Sequence, residues 1–330
     1  MRIEYKKLED TFYKILISRG TPEAKARRSA EIFAENSLDG VYSHGANRFP
    51  MFVEYIDKGY IKLDAEPEKI ASLGAIEQWD GNEGIGNTNA EIAMNRAMEL
   101  AREYGIGCVA LRNTNHWMRG GTYGLQAARA GFVGICWTNT MPNMPAWGAT
   151  DCRIGNNPLV FAVPYKDTPV LVDAAMSQFA YGALERYRLA DKELPLPGGY
   201  DESGELTCNP GDIEKTRRLL PMGYWKGCAF SVVLDLIAAV MSGGFSTCQV
   251  GKNVTDVHCL CQIFIALDPK LNPNAEAIVE ETLENVRASD RANTDEAVRC
   301  PGDGMHAKRK DNLKNGIPID ERVWNILQSL

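Results

Sequence analysis

The chain has 330 residues, 45% of them hydrophobic and 24% charged. That is the composition of an ordinary folded protein and argues against wholesale disorder. The formal net charge is −7 and the basic residues form no long run, so binding to nucleic acid or an anionic membrane is not expected. Nine cysteines, odd in number and scattered, fit reduced thiols in the cytoplasm better than a disulfide framework.

Charge interrupts the opening stretch MRIEYKKLEDTFYKILISRG, which reads as a helix and not as a signal peptide. Leu8, Phe12, Ile15 and Leu16 repeat at helical spacing up to Arg19-Gly20. Thr21-Pro22-Glu23 then predicts a second helix, with Thr21 as N-cap and Pro22 in the first helical position, running to about Asp39-Gly40. A third helix is expected from Phe49-Pro50, carrying Phe52, Val53 and Ile56. Between the last two lies GVYSHGANRFP, residues 40–50. It holds His44, one of four histidines with His116, His258 and His306, and Arg48 four positions on.

From about residue 69 the pattern changes. KIASLGAIEQWDG reads as a strand or strand pair, and residues 87–105 as a helix with Ala93, Ala97, Leu100 and Ala101 on one face. IGCVALR, 106–112, reads as a buried strand, followed by a Gly-rich loop and a short helix near 120–130. Further strands are predicted at 132–139, 158–164, 169–173 and 262–268, and helices at 175–189, 228–242, 274–290 and 319–329. The apolar stretch 227–244 contains Ser231, Asp235 and Ser242 and lacks basic flanks, so a buried helix is expected there and not a membrane span. Residues 190–225 are expected to form a loop-rich functional excursion. Lys308-Arg309-Lys310, followed at once by Asp311, reads as a solvated helix face. The predicted organisation is an N-terminal helical segment over 1–68, a sheet domain over 69–272 and a C-terminal helical segment over 273–330.

Three chemistries find little support. Gly81, Gly84 and Gly86 sit between a strand and a helix, but Asn89 stands where a dinucleotide fingerprint needs its third glycine. His258, Cys259 and Cys261, with Cys248 upstream, lack the paired C-x-x-C spacing of a zinc site, and the cysteines read as small buried hydrophobes, so no metal is expected. Ser43 and Cys136 lie in no nucleophile motif. What remains is a set of polar loops: His44 and Arg48; Asn113, Asn115 and His116 after the strand 106–112; Thr138 and Asn139; Asp173; Trp225 and Lys226.

YSHGANRFP, NHWMRGGTYG, GICWTNT, PAWGATDCRIGNNPL, VDAAMSQFAYG and LPMGYWKGCAFSVVLDLIA resemble, in that order and over nearly the whole chain, the malate/L-lactate dehydrogenase family of nicotinamide-dependent 2-oxoacid reductases. The resemblance implies an α/β fold whose nucleotide-binding sheet is mixed, largely antiparallel and non-Rossmann, flanked by helices, with N- and C-terminal helical segments. It also implies a homodimer with active sites near the subunit interface, and NAD as cofactor, NADH being favoured and NADPH left open. His44 matches the family's proton donor. The family's cofactor contacts fall on Pro169, Val170, Leu171, Val172, Asp173, Ala174 and Ala175, and on Trp225 and Lys226. A third contact falls on Gly302, Asp303 and Gly304, where PGDGMHAK carries Asp303 and Gly304 in place of a His-Glu pair.

The expected reaction is then reduction of a small carboxylate substrate, a 2-oxo sugar acid. An imidazole, with an unperturbed pKa of about 6.5, suits delivery of the proton. Arg48 is the candidate for the substrate carboxylate, because a guanidinium offers two parallel donors. Asn115 and His116 are candidates for hydroxyl or carbonyl contacts, and Lys226 for a cofactor phosphate. Asp173 either accepts from a ribose hydroxyl or orients an imidazole. Reduction of another 2-oxo acid, such as a malate, lactate or cyclic-imine carboxylate reaction, and a non-catalytic metabolite-binding role are the alternatives.

Overall fold

The computed structural model describes residues 1–252, 259–292 and 297–330. A two-residue strand β1 (Arg2–Ile3) leads into helices α1 (Tyr5–Ser18), α2 (Glu23–Leu38) and α3 (Phe49–Asp57). Their apolar stripes meet in one core in which Phe12 stacks on Phe49 at 4.1 Å and Phe33 packs edge-on against Phe49 at 5.0 Å. Thr21 does not cap α2. Pro22, with φ −53° and ψ 138°, is the flanking residue, so Thr21 lies one position too early to reach the first free amides, and its buried hydroxyl makes no hydrogen bond.

Next come β2 (Glu68–Leu73), β3 (Ile76–Asp80), α4 (Gly86–Tyr104), β4 (Ile106–Thr114), α5 (Gly121–Arg129) and β5 (Val133–Thr138). The short pair β6 (Met144–Pro145) and β7 (Cys152–Ile154) precedes β8 (Leu159–Val163), β9 (Val170–Ala174) and α6 (Tyr181–Leu189). The loop-rich stretch after α6 carries β10 (Gly199–Tyr200), β11 (Leu206–Thr207) and α7 (Pro210–Thr216). Helices α8 (Trp225–Ser242) and α9 (Thr247–Val250), strand β12 (Leu260–Leu267) and helices α10 (Ala275–Arg287) and α11 (Asp303–Asn315) follow, and β13 (Ile317–Pro318) and α12 (Glu321–Ser329) close the chain.

Seven strands form the main sheet in the order β2-β3-β4-β12-β5-β8-β9. Only β3–β4 is parallel; the other five pairings are antiparallel. This is the mixed, largely antiparallel, helix-flanked sheet expected. Side chains alternate across it. Val109, Leu111, Phe264 and Ala266 face α4 and α5, while Ala110, Ile263 and Trp137 face Leu234 and Ala238 of α8. The N-terminal helices share their core with Ile317, Trp324 and Leu327 of the C-terminal segment, and β1 pairs with β13.

The structure departs from the sequence expectations at several places. The helix expected over 175–189 begins only at Tyr181, because Met176 and Gln178 donate their backbone amides to Asn156 and Leu220, so 175–180 stays extended. Helix α11 supplies the helix face expected at Lys308-Arg309-Lys310, but its bounds were not predicted: its sequence has no apolar stripe, and Asn312 is its only buried side chain. Within it Arg309 is not solvated but bonds Asp39 at 2.7 Å. Helix α8 is not buried all round, since Phe230, Val233, Leu236 and Val240 are exposed. Cys261 is buried as expected; Cys259 is partly exposed, with φ 62°, outside the strand. His258 lies outside the described residues.

The glycines before α4 act through close approach. A Cβ on Gly86 would lie 2.2 Å from the Asn115 carbonyl oxygen and 2.4 Å from that of His116. Gly86 thus lets the start of α4 seat directly against the loop that carries those two residues.

Candidate active site

His44 ends a single 3-10 turn, Tyr42–His44, between α2 and α3. The turn is held from α2: Asn36 Nδ2 donates to the His44 carbonyl at 3.0 Å, and the Ser37 hydroxyl accepts from the Ala46 amide at 2.9 Å. Ser43 Oγ lies 3.0 Å from His44 Nδ1, which leaves Nε2 for a ligand. Sequence reasoning gave Ser43 no role; the structure makes it the neighbour of the imidazole.

The loop after β4 brings His116 alongside. The two rings lie 5.9 Å apart and 18° from parallel. The Met118 amide donates to His116 Nδ1 at 3.0 Å, so in the neutral ring Nε2 carries the hydrogen and is a donor. Asn115 is fixed just as firmly. Its Nδ2 donates to the carbonyls of Glu83 and Gly84 at 2.7 and 2.8 Å, which leaves Oδ1 buried and without a partner. Arg48, at the start of α3, joins Asn115, His116, Phe52, Tyr55, Ile61 and Met118 around a narrow cavity of about 10 Å³. The three substrate candidates therefore line one cavity, and His44 stacks on its His116 wall.

Burial depresses the His44 pKa to about 4; the Asp173 carboxylate pulls it up, while the guanidinium groups of Arg48 and Arg119 push it down. Burial likewise holds His116 well below the usual histidine range, reinforced by Arg48 and His44. Both imidazoles are neutral at pH 7 in the free protein. Cys136 is buried and its thiol is pushed up by burial, which leaves it unreactive.

Asp173 sits on β9, opposite Val160, and its side chain turns toward α5. Its Oδ2 accepts from the Gly121 amide at 2.8 Å and lies 3.7 Å from Arg119 Nε. Arg119 itself escaped sequence reasoning. It is buried and bonds Asp39 at 2.6 Å, a pairing between residues 80 positions apart that no local spacing announces.

Two of the three segments expected to contact the cofactor meet at the start of β9. At its start, His306 Nε2 lies 2.9 Å from the Pro169 carbonyl oxygen, and the Leu171 amide donates to Pro301 at 3.4 Å. Gly302, at φ 99°, needs to be glycine, and a Cβ there would lie 3.1 Å from the Pro169 carbonyl oxygen. Past its end, the Met222 amide donates to Met176 at 2.8 Å, and the exposed Trp225 and Lys226 follow in sequence at the start of α8. Asp303 and Gly304 line an open groove of about 470 Å³ with Arg299, Ala307, Lys308 and Asp311. Arg287 pairs with Asp303 at 2.8 Å and holds its carboxyl below the usual range. β9 is an edge strand and Gly304 is open beside its start, where Arg299 and Lys308 share the groove with the carboxylates of Asp303 and Asp311. Among the described residues, no three of His, Cys, Asp and Glu cluster to hold a metal ion.

The sequence model of the family described as malate/L-lactate dehydrogenase matches residues 3–328. The chain is 49% identical to a 2,3-diketo-L-gulonate reductase of Escherichia coli, with 100% of each sequence covered. Among solved structures, malate dehydrogenase from Pyrococcus horikoshii superposes with a TM-score of 0.89 at 27% identity, covering 100% of this chain and 94% of that one. Δ1-Piperideine-2-carboxylate reductase from Pseudomonas syringae superposes with a TM-score of 0.85 at 26% identity, covering 100% and 99%.

Proposed function

The chain belongs to the malate/L-lactate dehydrogenase family, and from that premise we propose that it reduces 2,3-diketo-L-gulonate to 3-dehydro-L-gulonate with NADH, His44 delivering the proton. The observation that carries this reading is the full-length 49% identity to the 2,3-diketo-L-gulonate reductase of Escherichia coli. The cleft supports it chemically. A bound nicotinamide supplies the hydride; the chain's own residues orient the substrate, exclude water and move one proton.

Arg48 holds the substrate carboxylate through parallel N–H donors. Asn115 Oδ1 accepts from a substrate hydroxyl, and His116 Nε2–H donates to a substrate oxygen. Ser43 engages His44 Nδ1, so the proton leaves from Nε2 to the oxygen of the carbonyl being reduced. Lys226, at the start of α8, neutralises a cofactor phosphate, and Pro169 to Ala175 with Gly302, Asp303 and Gly304 line the dinucleotide. Burial is the main cause of the depressed imidazole pKa and Arg48 adds to it, so an anion entering beside Arg48 favours protonation of the ring.

A second copy of the chain covers the exposed apolar face of α8, where Val240 is 72% exposed, giving a cytoplasmic homodimer. A second reading, reduction of another 2-oxo acid or a cyclic-imine carboxylate, draws on the structural likeness to Δ1-piperideine-2-carboxylate reductase.

The test is a steady-state assay with NADH across a panel of 2,3-diketo-L-gulonate, oxaloacetate, pyruvate and a cyclic-imine carboxylate. Preference for the diketo sugar acid is expected, with turnover in His44→Ala lower by about two orders of magnitude or more while cofactor binding persists. Preference for another panel member selects the second reading, and near-normal turnover in His44→Ala removes the proton-donor role.

A further inference from the structure

Beyond the cleft, charged groups of alternating sign run from the C-terminal helix inward. Arg309 Nη1 of α11 donates to Asp39 Oδ1 at 2.7 Å. Asp39, the residue that ends α2, accepts at Oδ2 from Arg119 Nη1 at 2.6 Å. The side chains of Asp39 and Arg119 are each only 4% exposed. Arg119 Nε then lies 3.7 Å from Asp173 Oδ2, too far for a hydrogen bond, and is itself buried without an acceptor. The guanidinium is drawn toward Asp39 and away from Asp173, and its remaining Nη2 meets Met305 Sδ at 3.0 Å.

An unsatisfied Nε beside a carboxylate is costly. It persists here because Asp39 holds the other side of the group. Were Asp39 uncharged, Arg119 would close on Asp173 and mask its charge. Were Arg309 absent, Asp39 would keep more of Arg119 and leave Asp173 more exposed electrostatically.

We propose that Asp39 and Arg309 are positioning residues for proton delivery: they divide the charge of Arg119 between two carboxylates and so set the field of Asp173 at His44. The inference rests on His44 being the proton donor. The groups acting on that ring are Asp173 from β9, Arg119 and His116 from the loop after β4, and Ser43 and Arg48 from its own loop. Asp39 and Arg309 act on it through Arg119, and their direct, longer-range fields have the same signs.

The test is an NMR titration of the histidine rings in the full-length protein and in Asp39→Asn and Arg309→Gln, with His44→Ala to assign the resonance. Asp39→Asn should move the His44 midpoint to lower pH and Arg309→Gln to higher pH, each by about half a pH unit or more. The pH profile of reductive kcat/KM should move in the same two directions. Unchanged midpoints in folded variants, or shifts of the same sign in both, overturn the proposal. If Asp39→Asn fails to fold, Arg309→Gln decides, because Arg309 lies nearer the surface. Should His44→Ala turn over normally, the proton-donor reading fails while the titration remains readable, so the two failures are separable.

Discussion

The imidazoles of His44 and His116 lie nearly parallel, with ring centroids 5.9 Å apart, and they come from chain positions separated by the whole of α3, the β2–β3 hairpin and α4. Two cations at that spacing, with Arg48 also acting on both rings, would repel strongly. The pair is therefore neutral until an anion arrives, and the first prediction follows from that. Substrate binding at pH 6 to 7 should take up a proton, up to about one per site, read by calorimetry in buffers of different ionisation enthalpy. The acid form of the free protein is the productive one in reduction. Its pKa of about 4 makes reductive kcat/KM fall as pH rises through and beyond that value. A buffer-independent binding enthalpy, with a flat kcat/KM over about pH 5 to 8, contradicts this.

Arg48→Lys keeps the charge and loses the fork. KM for carboxylate substrates should rise about tenfold, ~1.4 kcal/mol, with kcat less affected. Unchanged kinetics would take Arg48 out of the substrate clamp.

Asn115→Ala should show two separate effects. Removing Nδ2 leaves the Gly84 carbonyl without its donor, at a cost of roughly 1–3 kcal/mol visible as a lower Tm, while the Glu83 carbonyl still accepts from the Lys62 amide at 2.9 Å. Removing Oδ1 takes away the acceptor for a substrate hydroxyl, so kcat/KM should drop more for the hydroxylated substrate than for pyruvate. An equal drop for both would make Asn115 purely structural.

Charging the exposed face of α8, for example with Val233→Lys and Leu236→Lys, should convert the proposed dimer to monomer in sedimentation or light-scattering measurements. Both side chains point away from the chain's own core, so the monomer should stay folded by circular dichroism. A wild-type protein that is already monomeric at assay concentration would refute the proposed use of this face.

Much of this architecture was legible because its elements follow periodic patterns. The apolar runs IGCVALR and QIFIALD and the alanine stripe of α4 led to two central strands and their covering helix, while the character of the sheet followed from the family resemblance. The extended segment 175–180 was not legible, because the partners that hold it open, Asn156 and Leu220, are remote in sequence. The bounds and anchoring of α11 were hidden for a related reason: Arg309 and Asn312 fix it to the end of α2 by polar contacts that leave no apolar period. At the site, His44, Arg48, Asn115 and His116 could be picked out by residue type in loops. Asp39 and Arg119 could not, since a buried ion pair looks like two surface charges until the fold joins them.

The shared core of the first and last helices also bears on how the protein is made. His44 lies in a segment whose packing partners include Ile317, Trp324 and Leu327, and Asp39, beside it, is bonded by Arg309. During synthesis the N-terminal segment emerges long before those partners exist, so its apolar faces must wait, uncovered, for nearly the entire chain. The corner that holds His44 is thus completed only after residues 317–327 have been made. Truncated products should carry an open, sticky N-terminal cluster and no activity, which gives proteolytic quality control a clear mark by which to remove them.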